Sequence, residues 1–293
     1  MTHFTRRRFL TIAASSVAFS ATAEPFKTAK WYGQAMGAPT VMKLAGVSPN
    51  RAAPLFERVE KELRRLEGVF SLYRGSELVQ LNRDKLLDLP SPELLEVLSL
   101  SDSIYTASDG AFDPSIQPLW QAISQQRDPE AQRNQVGWSK VSFDTRRVVL
   151  ADGMALTLNG IAQGFITDRI TDMLLNEGFC NVLMDMGEIV ALGYHADGRS
   201  WELGVAGPDG HVLHRLKMRD RALATSAVSG MKVGAFEHIL HPAGIAPQQS
   251  LVAVSAPRAV IADGLSTAMC LMSPRAGRAL VNQFRGARIE FSV

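Results

Sequence analysis

Hydrophobic positions recur with helical spacing in several stretches of the chain. Between residues 50 and 66, Leu55, Val59, Leu63 and Leu66 lie three or four residues apart, which predicts an amphipathic helix with one buried face. A proline at the first helical position or a glycine after the last one marks the bounds of other candidates. Further helices are predicted over 91–107, 160–177 (closed by Gly178), 259–272 and 273–284.

Short alternating or apolar runs predict strands, and these dominate the second half of the chain. Strands are expected at 41–47, 180–186, 201–206, 212–218, 250–256 and 288–292, with a hairpin over 141–158 that turns at 151–153 and an irregular entry over 24–38. Helices and strands do not alternate regularly, as they would in a doubly wound parallel sheet. The pattern predicts an α+β fold with mixed, largely antiparallel sheets and flanking helices.

Residues 1–23 have the features of an export signal. The segment Thr5-Arg6-Arg7-Arg8-Phe9-Leu10 fits the twin-arginine pattern, and Ala21-Thr22-Ala23 offers small residues for cleavage. The apolar stretch between them is far shorter than the ~20 residues of a spanning helix, and a basic arm or anchor is the plain alternative. We expect a twin-arginine signal peptide over 1–23, one domain over 24–293, and a periplasmic mature protein starting near Glu24.

Removal of this segment changes the charge balance. The whole chain has a formal net charge of +2, but residues 1–23 contain three arginines and no acidic residue, so the mature chain is at −1. A near-neutral chain has no electrostatic footprint for nucleic acid, and no nucleic-acid partner is expected. The two cysteines, Cys180 and Cys270, lie in apolar runs; we expect buried hydrophobic residues, with pairing in an oxidising periplasm left open.

Asp263 and Thr267 are four residues apart in a predicted helix and therefore share a face. A carboxylate and a hydroxyl there suit Mg²⁺ bound jointly with a phosphate substrate, although a buried aspartate that caps a backbone group gives the same pattern. Small residues from Leu158 to Gly164 lead into a helix, which favours either phosphate binding or close packing on a sheet. This segment is not a Walker loop, because no Gly-Lys-Ser/Thr follows.

Two other segments contain candidate polar groups. Asp113 lies in the turn from Ser108 to Pro114, where it can cap a backbone group or bind a ligand. His238 and His241 are three apart and would point to opposite faces of a strand, which argues against one shared metal. A histidine that faces a phosphate would serve as a general base, while a core histidine is the structural alternative.

The order of these motifs along the chain resembles the FAD:protein FMN transferase family, known as ApbE. The resemblance extends over roughly residues 30–290 and involves six segments. They are Met36-Gly37; Phe70-Ser71-Leu72-Tyr73-Arg74 with Ser76-Glu77-Leu78 and Leu81-Asn82; Gly110 to Ser115 with Pro118-Leu119; Asn159 to Gly164; His238 to Pro242; and Ala262 to Ala268.

The resemblance implies that the protein binds FAD and Mg²⁺, and that a threonine of an acceptor protein attacks the FMN phosphorus while AMP leaves. Asp263, Thr267 and the Gly160 carbonyl match the family's metal ligands, and His238 matches the histidine that assists the attacking hydroxyl. The positions that match FAD contacts are Met36, Tyr73, Ala111, Phe112, Asp113, Thr157, Gln163 and Leu240.

Several residues depart from the family pattern. Thr157 stands where the family usually has aspartate, and Gln163 replaces a lysine that meets the nucleotide. Met186, Ala227 and His241 replace glycine, glycine and aspartate. Glutamine does not supply the point charge of lysine, so we expect FAD affinity or the range of acceptors to differ from the family norm.

The resemblance also implies partners. The expected acceptor is a periplasmic or membrane flavoprotein of an electron-transfer system, and the twin-arginine machinery would export the enzyme. A twin-arginine signal on such a chain resembles the subgroup that serves nitrous-oxide reductase maturation. A flavin carrier without transferase chemistry and a pyrophosphatase that releases FMN and AMP are the alternatives. Retention of Asp263, Thr267 and His238 favours the transferase over the carrier.

Overall fold

The structure, a computed structural model, describes residues 10–12, 28–207, 209–230, 232–233 and 236–293. Most of the predicted signal peptide, including Arg6, Arg7 and the cleavage site after Ala23, lies outside the described residues. In the part of the chain that is described, no helix is both long and apolar enough to cross a membrane.

Two of the helices begin where the sequence offers both a serine cap and a proline. Ser91 and Ser273 each accept a hydrogen bond from a backbone N–H three residues on, and a proline follows each of them. The predicted helices over 50–66, 91–107, 160–177, 259–272 and 273–284 are confirmed with shifted ends. The helices are α1 (Pro49–Phe70), α2 (Glu77–Asp84), α3 (Pro92–Ala107), α4 (Gln117–Ser124), α5 (Ala162–Asn176), α6 (Ala259–Cys270) and α7 (Pro274–Val281).

Among the described residues, strands outnumber helices in the second half of the chain, as the sequence predicts. They are β1 (Leu10–Ile12), β2 (Thr28–Ala35), β3 (Ala38–Ala45), β4 (Leu86–Asp88), β5 (Ser142–Phe143), β6 (Arg147–Val149), β7 (Val182–Asp185), β8 (Ile189–Leu192), β9 (Trp201–Ala206), β10 (Val212–Met218), β11 (Arg221–Ala227), β12 (Lys232–Val233), β13 (Phe236–Glu237), β14 (Leu251–Ala256) and β15 (Arg288–Ser292).

The described residues form one large antiparallel sheet of seven strands in the order β15-β14-β11-β8-β7-β3-β2. Its two faces are both buried, so side chains that alternate along a strand enter two different cores. On β8, Val190 packs with the helices α1, α5 and α6, whereas Ile189 and Ala191 pack against the smaller sheet β1-β9-β10. The α+β fold with antiparallel sheets and flanking helices is confirmed.

Four local expectations are wrong. Residues 28–35 are a strand rather than an irregular entry, and β8 and β11 were not predicted. The hairpin within 141–158 turns between β5 and β6, where the Asp144 carboxylate accepts the N–H groups of Arg146 and Arg147, instead of at 151–153. Cys180 is exposed, and only Cys270 is buried.

Candidate active site

A cleft opens where the carboxyl ends of several strands meet the start of α5 and one face of α6. Its walls come from loops and element ends that are far apart in sequence, which is why no single motif defines it. The lining residues are Ala38, Ala111, Phe112, Asp113, Pro114, Ile116, Trp120, Thr157, Asn159, Gly160, Gln163, Asp185, Gly187, Glu188, Thr225, Ser226, Ala227, His238, Ile239, Leu240, Asp263, Thr267 and Leu271.

The predicted metal ligands Gly160, Asp263 and Thr267 come together in this cleft. A Cβ placed on Gly160 would lie 3.1 Å from Thr267 Oγ1, so a larger residue would crowd the threonine. Thr267 Oγ1 also lies 3.2 Å from Ser226 Oγ of β11. Carboxylate, hydroxyl and carbonyl oxygens are the donors that Mg²⁺ prefers, and the residues present therefore fit that ion.

Asp263 also has the structural role that the sequence left open. Its Oδ2 accepts the backbone N–H of Gly164 at 3.0 Å, and the side chain is 4% exposed. A cap and a metal ligand are compatible, because a carboxylate has several lone pairs on two oxygens. The buried position fixes the orientation of the carboxylate towards the cleft.

Ala111, Phe112, Asp113 and Thr157 form one wall of the cleft. The Thr157 N–H donates to the Pro114 carbonyl at 2.8 Å, which ties the two loops of this wall together. Asp113 Oδ1 accepts hydrogen bonds from the Ser115 N–H and hydroxyl. Burial raises the pKa of Asp113 despite these hydrogen bonds, so its carboxylate is costly to keep ionised.

Gln163 also lines the cleft, from the first turn of α5. The side chain is 3% exposed, and its Nε2 donates to the Met186 carbonyl at 2.7 Å. Gly187 follows with φ +102°, and a Cβ there would lie 2.0 Å from Gln163 Nε2. Gln163 is therefore held against a turn that requires glycine.

The segment 238–240 closes the cleft on another side. His238 and Leu240 both line the cleft, but His238 lies in a bend after β13 rather than in a strand. The expectation that His238 and His241 lie in one strand and point to opposite faces is therefore wrong. His241 does not line this cleft; its Nδ1 accepts the Ala243 N–H, and burial together with the nearby Arg133 lowers its pKa.

Met36 and Tyr73 lie outside the lining of the cleft. Met36 and Gly37, with φ of +50° and +77°, form the two-residue turn between β2 and β3, the backbone that such hairpins favour. Tyr73 is 74% exposed just after α1. Glu67 connects the two segments, since it accepts the Met36 N–H at 2.9 Å and pairs with Arg74 at 2.9 Å.

Two buried carboxylates that were not expected from the sequence, Asp185 and Glu188, also line the cleft. They flank Met186-Gly187, in a turn between two fully buried strands, β7 and β8. A charged residue next to a continuous apolar run was the available signal. Together with Asp113 and Asp263 they make four acidic side chains, and the described lining contains no lysine or arginine.

Comparisons with known proteins agree with this geometry. Residues 36–290 match the ApbE family. A FAD:protein FMN transferase of Chlamydia muridarum is 29% identical over 220 residues, which cover 66% of this chain and 68% of the relative. The apo crystal structure of the Pseudomonas stutzeri flavinyl transferase ApbE superposes with a TM-score of 0.76 at 26% identity, over 88% of each chain. The flavin transferase ApbE from Vibrio cholerae has the same fold, with a TM-score of 0.80 at 22% identity over 90% of this chain and 93% of that one.

Proposed function

The chain belongs to the ApbE family, and from this premise we propose that it is an Mg²⁺-dependent FAD:protein FMN transferase. It transfers FMN from FAD to a threonine of a periplasmic or membrane electron-transfer protein and releases AMP. FAD:protein FMN transferase activity is also the activity that its curated relatives are named for.

One observation supports this proposal above the others: Gly160, Asp263 and Thr267 share a cleft with His238. Oxygen ligands for a divalent cation and a group that can accept a proton are what phosphoryl transfer to a hydroxyl requires. A flavin carrier would need neither of them.

The residues of the chain divide the reaction between them. Bound Mg²⁺ would neutralise charge on the pyrophosphate of FAD. Asp263, Thr267 and the Gly160 carbonyl would hold that ion, and the wall of Phe112 and Asp113 with Leu240 would orient the nucleotide. His238 accepts the proton of the acceptor threonine as its oxygen bonds to the FMN phosphorus and the bond from that phosphorus to AMP breaks.

The proposals for the acceptor protein and for the cellular compartment are supported by the N-terminal segment rather than by the cleft. The twin-arginine segment at Arg6 and Arg7 is typical of proteins exported in folded form. An enzyme exported in this way would meet its acceptor in the periplasm or at the outer face of the membrane. We propose that this acceptor is a flavoprotein of an electron-transfer system.

Purified protein incubated with FAD, Mg²⁺ and candidate acceptor proteins tests the activity. Mass spectrometry of the acceptor and chromatography of the nucleotides should show covalent FMN on a threonine together with AMP. Asp263→Asn should abolish both products and still melt cooperatively, because the amide oxygen can still accept the Gly164 N–H.

Two other outcomes would replace the proposal. Free FMN and AMP without a modified acceptor would make the protein a pyrophosphatase that uses water at the same site. The protein would be a flavin carrier if it bound FAD tightly but gave no product in any mixture. A mixture with EDTA serves as the metal-free control.

A further inference from the structure

The helix that holds Asp263 and Thr267 is capped from outside itself. α6 begins after Arg258, whose side chain makes no cap hydrogen bond. The backbone N–H groups of Ala259 and Val260 donate instead to Oδ1 and Oδ2 of Asp168, at 2.7 and 3.0 Å. Asp168 belongs to α5 and is buried. One carboxylate therefore satisfies two of the N–H groups that an α-helix leaves unpaired at its start.

A second contact runs in the opposite direction between the same helices. The N–H of Gly164, in the first turn of α5, donates to Asp263 of α6. Between the two contacts the backbones touch, since a Cβ on Gly164 would lie 2.5 Å from the Ala259 carbonyl oxygen. Each helix thus holds the start of the other through a carboxylate, and the two backbones pack closely between these contacts.

This arrangement fixes the distances within the proposed metal site. Gly160 lies just before α5, while Asp263 and Thr267 lie on α6, so their separation depends on how the two helices are placed. We propose that Asp168 is a positioning residue, which holds α6 in the register that brings Asp263 and Thr267 to Gly160. This inference rests on the proposed function, and it assigns Asp168 no contact with the ion or with FAD.

A simple stability role would not need this geometry. A serine, threonine or aspartate at the start of α6 would cap the helix locally, without the cost of burying a carboxylate. A cap reaching from α5 adds a constraint on the translation and rotation of α6. Arg258 supports it, with Nε 3.3 Å from Asp168 Oδ2.

The decisive variant is Asp168→Asn, with Asp172→Asn as its matched control. Asparagine keeps the shape but offers one acceptor oxygen, so one of the two N–H groups of α6 loses its acceptor. Asp172 lies one turn further along α5 and is exposed. FAD binding, followed by flavin fluorescence at a series of MgCl₂ concentrations, gives the affinity for Mg²⁺.

We expect Asp168→Asn to raise the Mg²⁺ dissociation constant by roughly tenfold and to leave FAD affinity in EDTA unchanged. Amide hydrogen exchange at Ala259 and Val260 should accelerate in the protein without metal. Asp172→Asn should match the wild type in Mg²⁺ affinity, in FAD affinity and in exchange at Ala259 and Val260, because it removes a charge near Asp168 but neither of the two cap hydrogen bonds.

A variant with a lower melting temperature but wild-type Mg²⁺ affinity would overturn the proposal, since Asp168 would then be structural only. If Asp168→Asn does not melt cooperatively, Asp168→Glu replaces it. This change keeps the charge but moves the carboxylate by one methylene. Unchanged Mg²⁺ affinity in that variant would again overturn the proposal. A wild type that binds Mg²⁺ and FAD without transferring FMN would refute the proposed function, while the binding measurement on Asp168 would still stand.

Discussion

His238 lines the cleft from a bend that follows β13. Its spacing from His241 had suggested a strand instead. Its assignment to the cleft came from the family resemblance, and the structure places it in the lining, apart from His241. Its role can be tested because His241 is available as a neighbouring histidine with a different environment.

We expect His238→Ala to slow FMN transfer by about 10²–10⁴-fold, the range for loss of one positioned general base. FAD affinity should change little, because the base acts on the acceptor hydroxyl. Transfer rate and melting temperature measured on the same samples separate a catalytic role from a structural one.

His241→Ala is the matched control and should keep turnover near that of the wild type. A His238→Ala protein with normal turnover per folded molecule but a lower melting temperature would identify His238 as a core residue and end its assignment as a base.

Gln163 gives a second prediction at the residue scale. Because the described lining has no lysine or arginine, Gln163→Lys should strengthen FAD binding in EDTA by roughly tenfold, about 1.4 kcal/mol. The ammonium can donate to the Met186 carbonyl, as the amide does now. Gln163→Met, which is similar in length and has no charge, should not strengthen binding, and equal affinities for the Lys and Met variants would contradict this explanation.

The residues that the sequence did not reveal share a physical reason. Asp185 and Glu188 border buried strands, and Asp168 lies in a helix whose surroundings are mostly apolar. Their partners are residues far away in sequence, such as Ala259 for Asp168. Asp263 and Thr267 could be paired from the sequence because helical spacing is a local signal, whereas Gly160 was assigned to the same site only through the family resemblance.

At the scale of elements, local capping and periodicity predicted the helices well. α1, α3 and α7 start at a proline and show a regular apolar face or a serine cap. The strands β8 and β11 were missed because each depends on its neighbours in the large sheet. Strand pairing is a contact between distant segments, and short apolar runs do not distinguish it from other buried structure.

The junction of α5 and α6 leads to a prediction about pH. Burial raises the pKa of Asp168 to about 6, although Val260, Ala259 and Arg258 oppose that shift and Asp172 adds to it. Glu96 of α3 forms an ion pair with Arg258, which itself lies next to Asp168. The folded protein therefore binds more protons here than the unfolded chain does between about pH 4 and 6.

The stability that Asp168 contributes should consequently fall as the pH rises through that window, by at most about 3 kcal/mol. Urea unfolding of wild type and Asp168→Asn at several pH values measures this change as the difference between their free energies of unfolding. Between pH 4 and 7, the free energy of unfolding of the wild type should fall relative to that of Asp168→Asn. A difference that stays constant, or that shifts in favour of the wild type, would contradict the direction of the pKa shift.

At the scale of the whole molecule, the sequence predicted an α+β fold with antiparallel sheets, and the structure has two cores on either side of one sheet. The second core includes β9 and β10, whose alternation or apolar run was visible in the sequence. The way in which these strands stack on the large sheet was not visible in the sequence, because stacking depends on surfaces built from many segments.

Export is the prediction that concerns the whole chain. Replacing both Arg6 and Arg7 by lysine keeps the positive charge, but the twin-arginine receptor reads the guanidinium pair. We expect the double variant to remain in the cytoplasm at wild-type levels of synthesis, as measured by cell fractionation and immunoblotting. Periplasmic protein at the wild-type level would refute the twin-arginine route.

The carboxylates of the cleft also determine how the protein should respond to ionic strength. Asp185, Glu188 and Asp263 line the cleft in which the anionic pyrophosphate would bind under the proposed function, while burial raises the pKa of the fourth carboxyl, Asp113. Without a divalent cation this is repulsion between like charges, so added NaCl should strengthen metal-free FAD binding by screening it, the opposite of the usual behaviour of an anion site. With saturating Mg²⁺ the repulsion is neutralised, and the salt dependence should weaken or reverse. Such an enzyme would be switched on by the divalent-ion content of its surroundings, and FAD titrations at 50 and 500 mM NaCl, with and without Mg²⁺, would detect this dependence.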